Sequence, residues 1–229
     1  MYILGISCYY HDAAATLIKD GVVVAAAEEE RFTRIKHDSE YPENAINFCL
    51  NLEGIEPQDL EYVMYFEKPF LKFERLLLDT MQTFPKSMKL FREAMITQLG
   101  EKLWIKHLIQ KKLEIDPSKI LFCEHHMSHA ASSFYCSPFN ESAILTVDGV
   151  GEWTTATLAV GRGTDIQILK EIRFPNSLGL LYSAFTAFLG FEVNEGEYKV
   201  MGMAPFGDPK YVDQVYEVVK VDDEGGFEL

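Results

Sequence analysis

The chain has 229 residues, 48% of them hydrophobic and 24% charged, with a formal net charge of -14. That length allows a substantial buried core in one large domain or two small ones. The acidic balance argues against nucleic acid or an anionic membrane as a partner, and no apolar run approaches the ~20 residues of a bilayer span, so a cytoplasmic protein is expected.

The first residues lack the basic flank and cleavage site of a signal peptide and read as structure. Cys8, Cys49, Cys123 and Cys136 show no CxxC spacing and read as reduced thiols. Residues 2–8 are apolar and β-prone. Residues 13–18 form a second strand after the polar corner His11-Asp12, and 21–27 return across Asp20-Gly21, a hairpin signal. Three sequential antiparallel strands with a polar elbow after the first open a ribonuclease H-like or actin-like ATPase fold. Pro42 precedes a helix in which Ala45, Ile46, Cys49 and Leu50 fall on one face.

Residues 62–66 read as a short strand. Residues 70–113 look largely helical, broken at Pro85, and are taken as a helical insertion spanning about 68–115. Residues 120–123 read as a strand and 125–135 as a helix. The strand 143–147 ends in Asp148-Gly149-Val150-Gly151, and 155–160 and 166–172 continue as strands. The expected organisation is an α/β chain with a first ribonuclease H-like lobe over 1–139 and an incomplete second lobe over 140–229. Residues 197–207, rich in Gly, Met and Pro, are expected to be a shaped loop, with Lys199 its obvious ligand-contacting side chain. Residues 222–229 do not read as a finished domain end, and the chain is expected to be a fragment.

His125 and His129 stand four apart on the helix, so their side chains share a face about 5–6 Å apart, within reach of one cation. A zinc-protease arrangement is excluded, because the residue after His125 is His126 and not a glutamate. Asp148, at a strand end beside a glycine, strengthens a metal reading. The glycines of Asp148-Gly149-Val150-Gly151 let a backbone approach a phosphate, as does the elbow Gly5-Ile6-Ser7 leading to His11-Asp12. His11 has the ordinary chemistry of a proton acceptor near neutral pH. Arg31, Arg34, Lys36 and His37 form a local basic cluster that reads as a solvated face or as a counter-charge to an anionic substrate.

Five stretches together resemble the family of nodulation-factor and antibiotic-tailoring O-carbamoyltransferases. They are Leu4-Gly5-Ile6-Ser7 with His11-Asp12-Ala13-Ala14-Ala15; Glu29-Glu30-Arg31-Phe32-Thr33-Arg34 with Lys36-His37-Asp38; His125-His126-Met127-Ser128-His129-Ala130-Ala131-Ser132; Asp148-Gly149-Val150-Gly151-Glu152; and Tyr198-Lys199-Val200-Met201-Gly202-Met203-Ala204-Pro205. The resemblance implies an actin-like ATPase domain that moves a carbamoyl group to the hydroxyl of a small-molecule acceptor. The carbamoyl group would come from carbamoyl phosphate and ATP, through carbamoyladenylate made by a carboxy-terminal domain missing from this chain.

By that likeness His125, His129 and Asp148 would bind a divalent metal, iron or else zinc. Ser7, Gly149, Gly151, Lys199 and Gly202 would contact nucleotide, and His11 and Asp12 would be the catalytic pair. The chain alone is expected not to complete the reaction. An ATP-dependent sugar or acid kinase and a non-catalytic nucleotide-binding module are the alternatives, and the oligomeric state is left open, a homodimer included.

Overall fold

A computed structural model describes residues 1–89, 91, 92, 95, 96 and 102–229. The chain divides into two compact units, Met1–His125 and His126–Leu229.

In the first unit, alternation of apolar residues builds the strands. Strands β1 (Tyr2–Ser7), β2 (Ala14–Lys19), β3 (Val22–Glu28), β4 (Leu60–Tyr65) and β5 (Ile120–Phe122) form one sheet in the order β3-β2-β1-β4-β5. β2 runs antiparallel to both β1 and β3, while β1, β4 and β5 are mutually parallel. This order with that single reversed strand is the ribonuclease H-like arrangement, so the fold expected from the opening strands is present. Leu4, Ile6, Leu17, Leu60, Val63, Tyr65 and Ile120 are buried in its core; alternate residues face inward, except between Leu60 and Val63, where the β1–β4 register shifts. Asp20 (φ 50°) and Gly21 (φ 85°) both adopt the left-handed conformation that the tight β2–β3 turn requires.

Helix α1 (Glu30–Thr33) is one turn long, and α2 (Glu43–Glu53) buries Ala45, Ile46, Cys49 and Leu50 against β2 and β3. Glu29 is 3% exposed. Its carboxyl oxygens accept from the backbone N–H of Asn44 (3.2 Å) and Ala45 (2.9 Å) and from the Asn44 side chain (2.6 Å). An acidic group there satisfies orphan donors of the first turn and complements the helix dipole. The expected insertion contains α3 (Pro69–Thr83), which ends just before Pro85, and α4 (Ile105–Leu113). Residues 90, 93, 94 and 97–101 of that stretch lie outside the described residues.

The second unit takes in helix α5 (His125–Tyr135) beyond its first residue, followed by the antiparallel meander β6 (Glu141–Val147), β7 (Thr154–Arg162) and β8 (Asp165–Arg173). Ala130 and Phe134 of α5 pack with Ile144 and Ala159 of the sheet. A Cβ at Gly161 would fall 2.7 Å from the Phe134 ring, so only glycine admits that contact. This packing groups α5 beyond its first residue with the β6–β8 sheet, and the division into compact units falls between residues 125 and 126.

Helices α6 (Leu178–Phe188), α7 (Glu197–Met203) and α8 (Val212–Val218) follow, and a short hairpin pairs β9 (Lys220–Val221) with β10 (Phe227–Glu228). Helix α7, continued by a 3-10 turn over Ala204–Phe206, replaces the shaped loop expected at 197–207. Gly202 falls in its last turn and Pro205 in the first turn of the 3-10 segment, positions where neither breaks an interior hydrogen bond. No described helix is long and apolar enough to cross a membrane, and all four cysteines are free of disulfides.

Replacing Glu29 with alanine leaves buried backbone donors of α2 without their acceptor. The first unit should lose about 3 kcal/mol of unfolding free energy, measured by urea denaturation followed by circular dichroism.

Candidate functional site

Two sets of polar side chains stand out, each set by local backbone geometry. The first lies where β1 leaves the sheet. Tyr9 N–H donates to the Ser39 carbonyl (2.6 Å), and Ala13 N–H donates to that of Asp38 (2.7 Å). The 9–13 turn is thereby zipped to the 34–39 loop. Asp12 (φ 49°) and His37 (φ 55°) both hold left-handed backbone conformations unusual for such residues. The result is a chain of three side chains. His11 Nδ1 lies 2.8 Å from Asp12 Oδ2, and His37 Nδ1 lies 2.7 Å from Asp12 Oδ1.

Partial burial pushes the Asp12 carboxyl up, but hydrogen bonds from His37 and His11 outweigh it and hold the group below the usual carboxylate range. His11 is exposed, with its ring 4.3 Å from that of Tyr10. His37, read in the sequence as part of a basic surface cluster, belongs instead to this chain. Arg31 is paired with Glu28 at 3.0 Å, while Arg34 and Lys36 are exposed. Ser7 ends β1, partly buried.

The second set is carried by helix α5 and the loop after β6. His125 is buried and begins the helix, with its ring against Phe66 at 5.5 Å. His129 follows one turn later, and its Nε2 lies 3.6 Å from Asp148 Oδ2. That is long for a hydrogen bond, but two donors each about 2.1 Å from a shared ion at a tetrahedral angle are about 3.4 Å apart. Ligand atoms of His125, His129 and Asp148 all lie within 4.8 Å of one another. His125 and His129 are the pair selected by helical spacing, and Asp148 is the residue selected by its place at a strand end beside a glycine.

The helix is held in this rotation by His126, which the sequence gave no reason to select. His126 is 2% exposed and its Nδ1 lies 2.7 Å from Thr146 Oγ1, which in turn lies 2.5 Å from Thr157 Oγ1. Asp148 is held from the other side. Ser177, fully buried, caps α6 by accepting from Leu180 N–H (3.0 Å) and donates to the Gly149 carbonyl (2.6 Å). A Cβ at Gly179 would fall 2.5 Å from the Asp148 carbonyl oxygen. Sequence pattern did not flag Ser177 or Gly179, although Ser-x-Gly at a helix start was the available signal.

The remaining nucleotide-contact candidates are placed less suggestively. Gly149 N–H donates to Asp148 Oδ1 (2.6 Å) and Gly151 N–H to the Thr154 carbonyl (2.9 Å), so both are engaged within the loop. Lys199 and Gly202 are exposed on α7, and the Lys199 ammonium lies 5.8 Å from the Tyr198 ring centre. Among the described residues no hydrogen bond or ion pair joins either to the 148–151 loop.

Together these features describe an α/β protein with a ribonuclease H-like first unit and a histidine–histidine–aspartate donor set. Residues 2–228 match the family described as the carbamoyltransferase N-terminus, and the chain belongs to that family. It is 50% identical to the uncharacterized protein sll1178 of Synechocystis, over all of this chain and 38% of that protein. It is 38% identical to the nodulation protein NolNO of Sinorhizobium fredii, over 96% of this chain and 32% of the relative. The chain therefore spans about a third of the length of these curated relatives. Among solved structures, component A of the (R)-2-hydroxyglutaryl-CoA dehydratase of Acidaminococcus fermentans aligns with a TM-score of 0.42 at 13% identity, over 92% of this chain and 70% of that one.

Because folded Asp12 gives up its proton more readily than an unfolded aspartate, its contribution to stability is present above the ordinary value of 3.8 and lost as pH falls through its lowered value. Urea unfolding across that acid range should show a shallower loss of stability with falling pH for Asp12→Asn than for wild type.

Proposed function

We propose that this chain is the N-terminal part of the transferase domain of an O-carbamoyltransferase of about its relatives' length, an enzyme that moves a carbamoyl group to a hydroxyl of a small-molecule acceptor. Family membership over residues 2–228 supports the reaction class. ATP and carbamoyl phosphate are the co-substrates of this reading, and a carboxy-terminal domain outside this chain supplies carbamoyladenylate.

The observation that carries the chemistry is the His11–Asp12 pair. An ionised Asp12 accepts from His11 Nδ1 at 2.8 Å, which leaves Nε2 as the proton acceptor. The acceptor hydroxyl gives its proton to His11 Nε2 as its oxygen bonds to the carbamoyl carbon. The bond from that carbon to the adenylate oxygen breaks, and AMP leaves with the electron pair. The products are a carbamate ester and AMP.

The donor set fits a divalent cation. Two imidazoles and one carboxylate, with His129 and Asp148 at 3.6 Å, suit iron or zinc better than the all-oxygen shell preferred by magnesium. His125, His129 and Asp148 would hold the ion, and its chemistry there would be to neutralise charge on phosphate oxygens. Ser177 and Gly179 keep Asp148 in place for that role.

Two measurements test the reading. In the full-length protein His11→Ala should lower kcat for carbamoyl transfer by about 10²–10⁴, and full retention would refute His11 as base. In calorimetric titration of the chain with Zn2+, His129→Ala should weaken binding by roughly 100-fold and Gly179→Ala by roughly 10-fold. Wild-type chain that takes up no metal would refute the metal reading.

A further inference from the structure

We infer that His37 is a positioning residue, which through Asp12 fixes the tautomer and ring orientation of His11. The inference rests on the reading of His11 as base.

A carboxylate can only accept. Since Asp12 offers one oxygen to each ring, both Nδ1 atoms carry their protons when the rings are neutral. For His37 no other tautomer is satisfied. Among the described residues its buried Nε2 has no hydrogen-bond partner, so a proton there would be a buried, unmet donor. His37 is in turn held from its backbone. Its N–H donates to Glu30 Oε2 at 3.1 Å, and Asp38 beside it is tied by Thr33 Oγ1 at 2.7 Å. Asp12, by contrast, projects from a strained left-handed residue in an exposed turn. The fixed imidazole therefore anchors the carboxylate, and the carboxylate anchors the exposed imidazole.

This matters because an isolated neutral imidazole prefers its proton on Nε2, the wrong nitrogen for a base acting outward. Glu30, His37 and Asp12 also have the spacing of a cation site. However, both Asp12 oxygens already face imidazole nitrogens at hydrogen-bond distance, so the relay is the better reading.

Long-range proton–nitrogen NMR of the chain, in EDTA and at a pH where the rings are neutral, reads the tautomers directly. In wild type His11 should be the Nδ1–H form. In His37→Ala most of His11 should revert to the Nε2–H form, while His37→Gln, whose amide can still donate to Asp12, should retain Nδ1–H. Unshifted amide resonances of Leu4, Ile6 and Leu17 would show that the sheet is intact. An Nε2–H His11 in wild type would overturn the proposal without any variant. An unchanged His11 in folded His37→Ala would overturn it too. Failure of the base reading is seen separately, as carbamoyl transfer by full-length His11→Ala, which leaves the NMR result untouched.

Discussion

The first unit depends on one buried acidic side chain. Glu29 ends the descent of β3 and places its carboxyl at the N-terminus of α2, while its own N–H donates to the Ala13 carbonyl at 2.7 Å. One residue thus ties the helix that covers the sheet to the turn that carries His11 and Asp12. The 34–39 loop then closes over the same turn through the Asp38 and Ser39 carbonyls. The clasp brings His37 to Asp12 from 25 residues away, and so completes the His11–Asp12–His37 chain.

The second unit solves a similar problem with different chemistry. A helix bearing histidines on one face must be stopped from rotating, and the Thr146–Thr157 pair does this by capturing His126. Asp148 is fixed by close backbone approach, which only the missing side chain of Gly179 permits. Side-chain hydrogen bonding sets the helix and steric exclusion sets the loop. Both belong to the supporting layer that orients a donor set.

How much was legible follows from which forces are local. The strands β1 to β3 and the face of α2 could be read because burial imposes a period of two or of 3.6 on nearby residues. The spacing of His125 and His129 was visible because a helix places residues four apart on one face. His37 was not, because its partner is 25 residues away and the meeting needs left-handed backbone at both ends. Glu28, Glu29 and Glu30 look alike in sequence, and only tertiary packing buries the middle one. Helix α7 was misread because composition was weighed without position: a glycine or proline at a helix end does not act as one in its interior.

The left-handed backbone at residues 12 and 37 has a consequence for anyone who would engineer this protein. Non-glycine residues in that conformation cost of order 1 kcal/mol each. Glycine relieves that strain, but at residue 12 it also removes the carboxylate whose hydrogen bonds to His11 and His37 stabilise the folded chain above acid pH. At either position the change strips one side chain from the His11–Asp12–His37 chain. Backbone strain and side-chain hydrogen bonding therefore oppose each other at these two positions, and a substitution that relieves the first gives up the second.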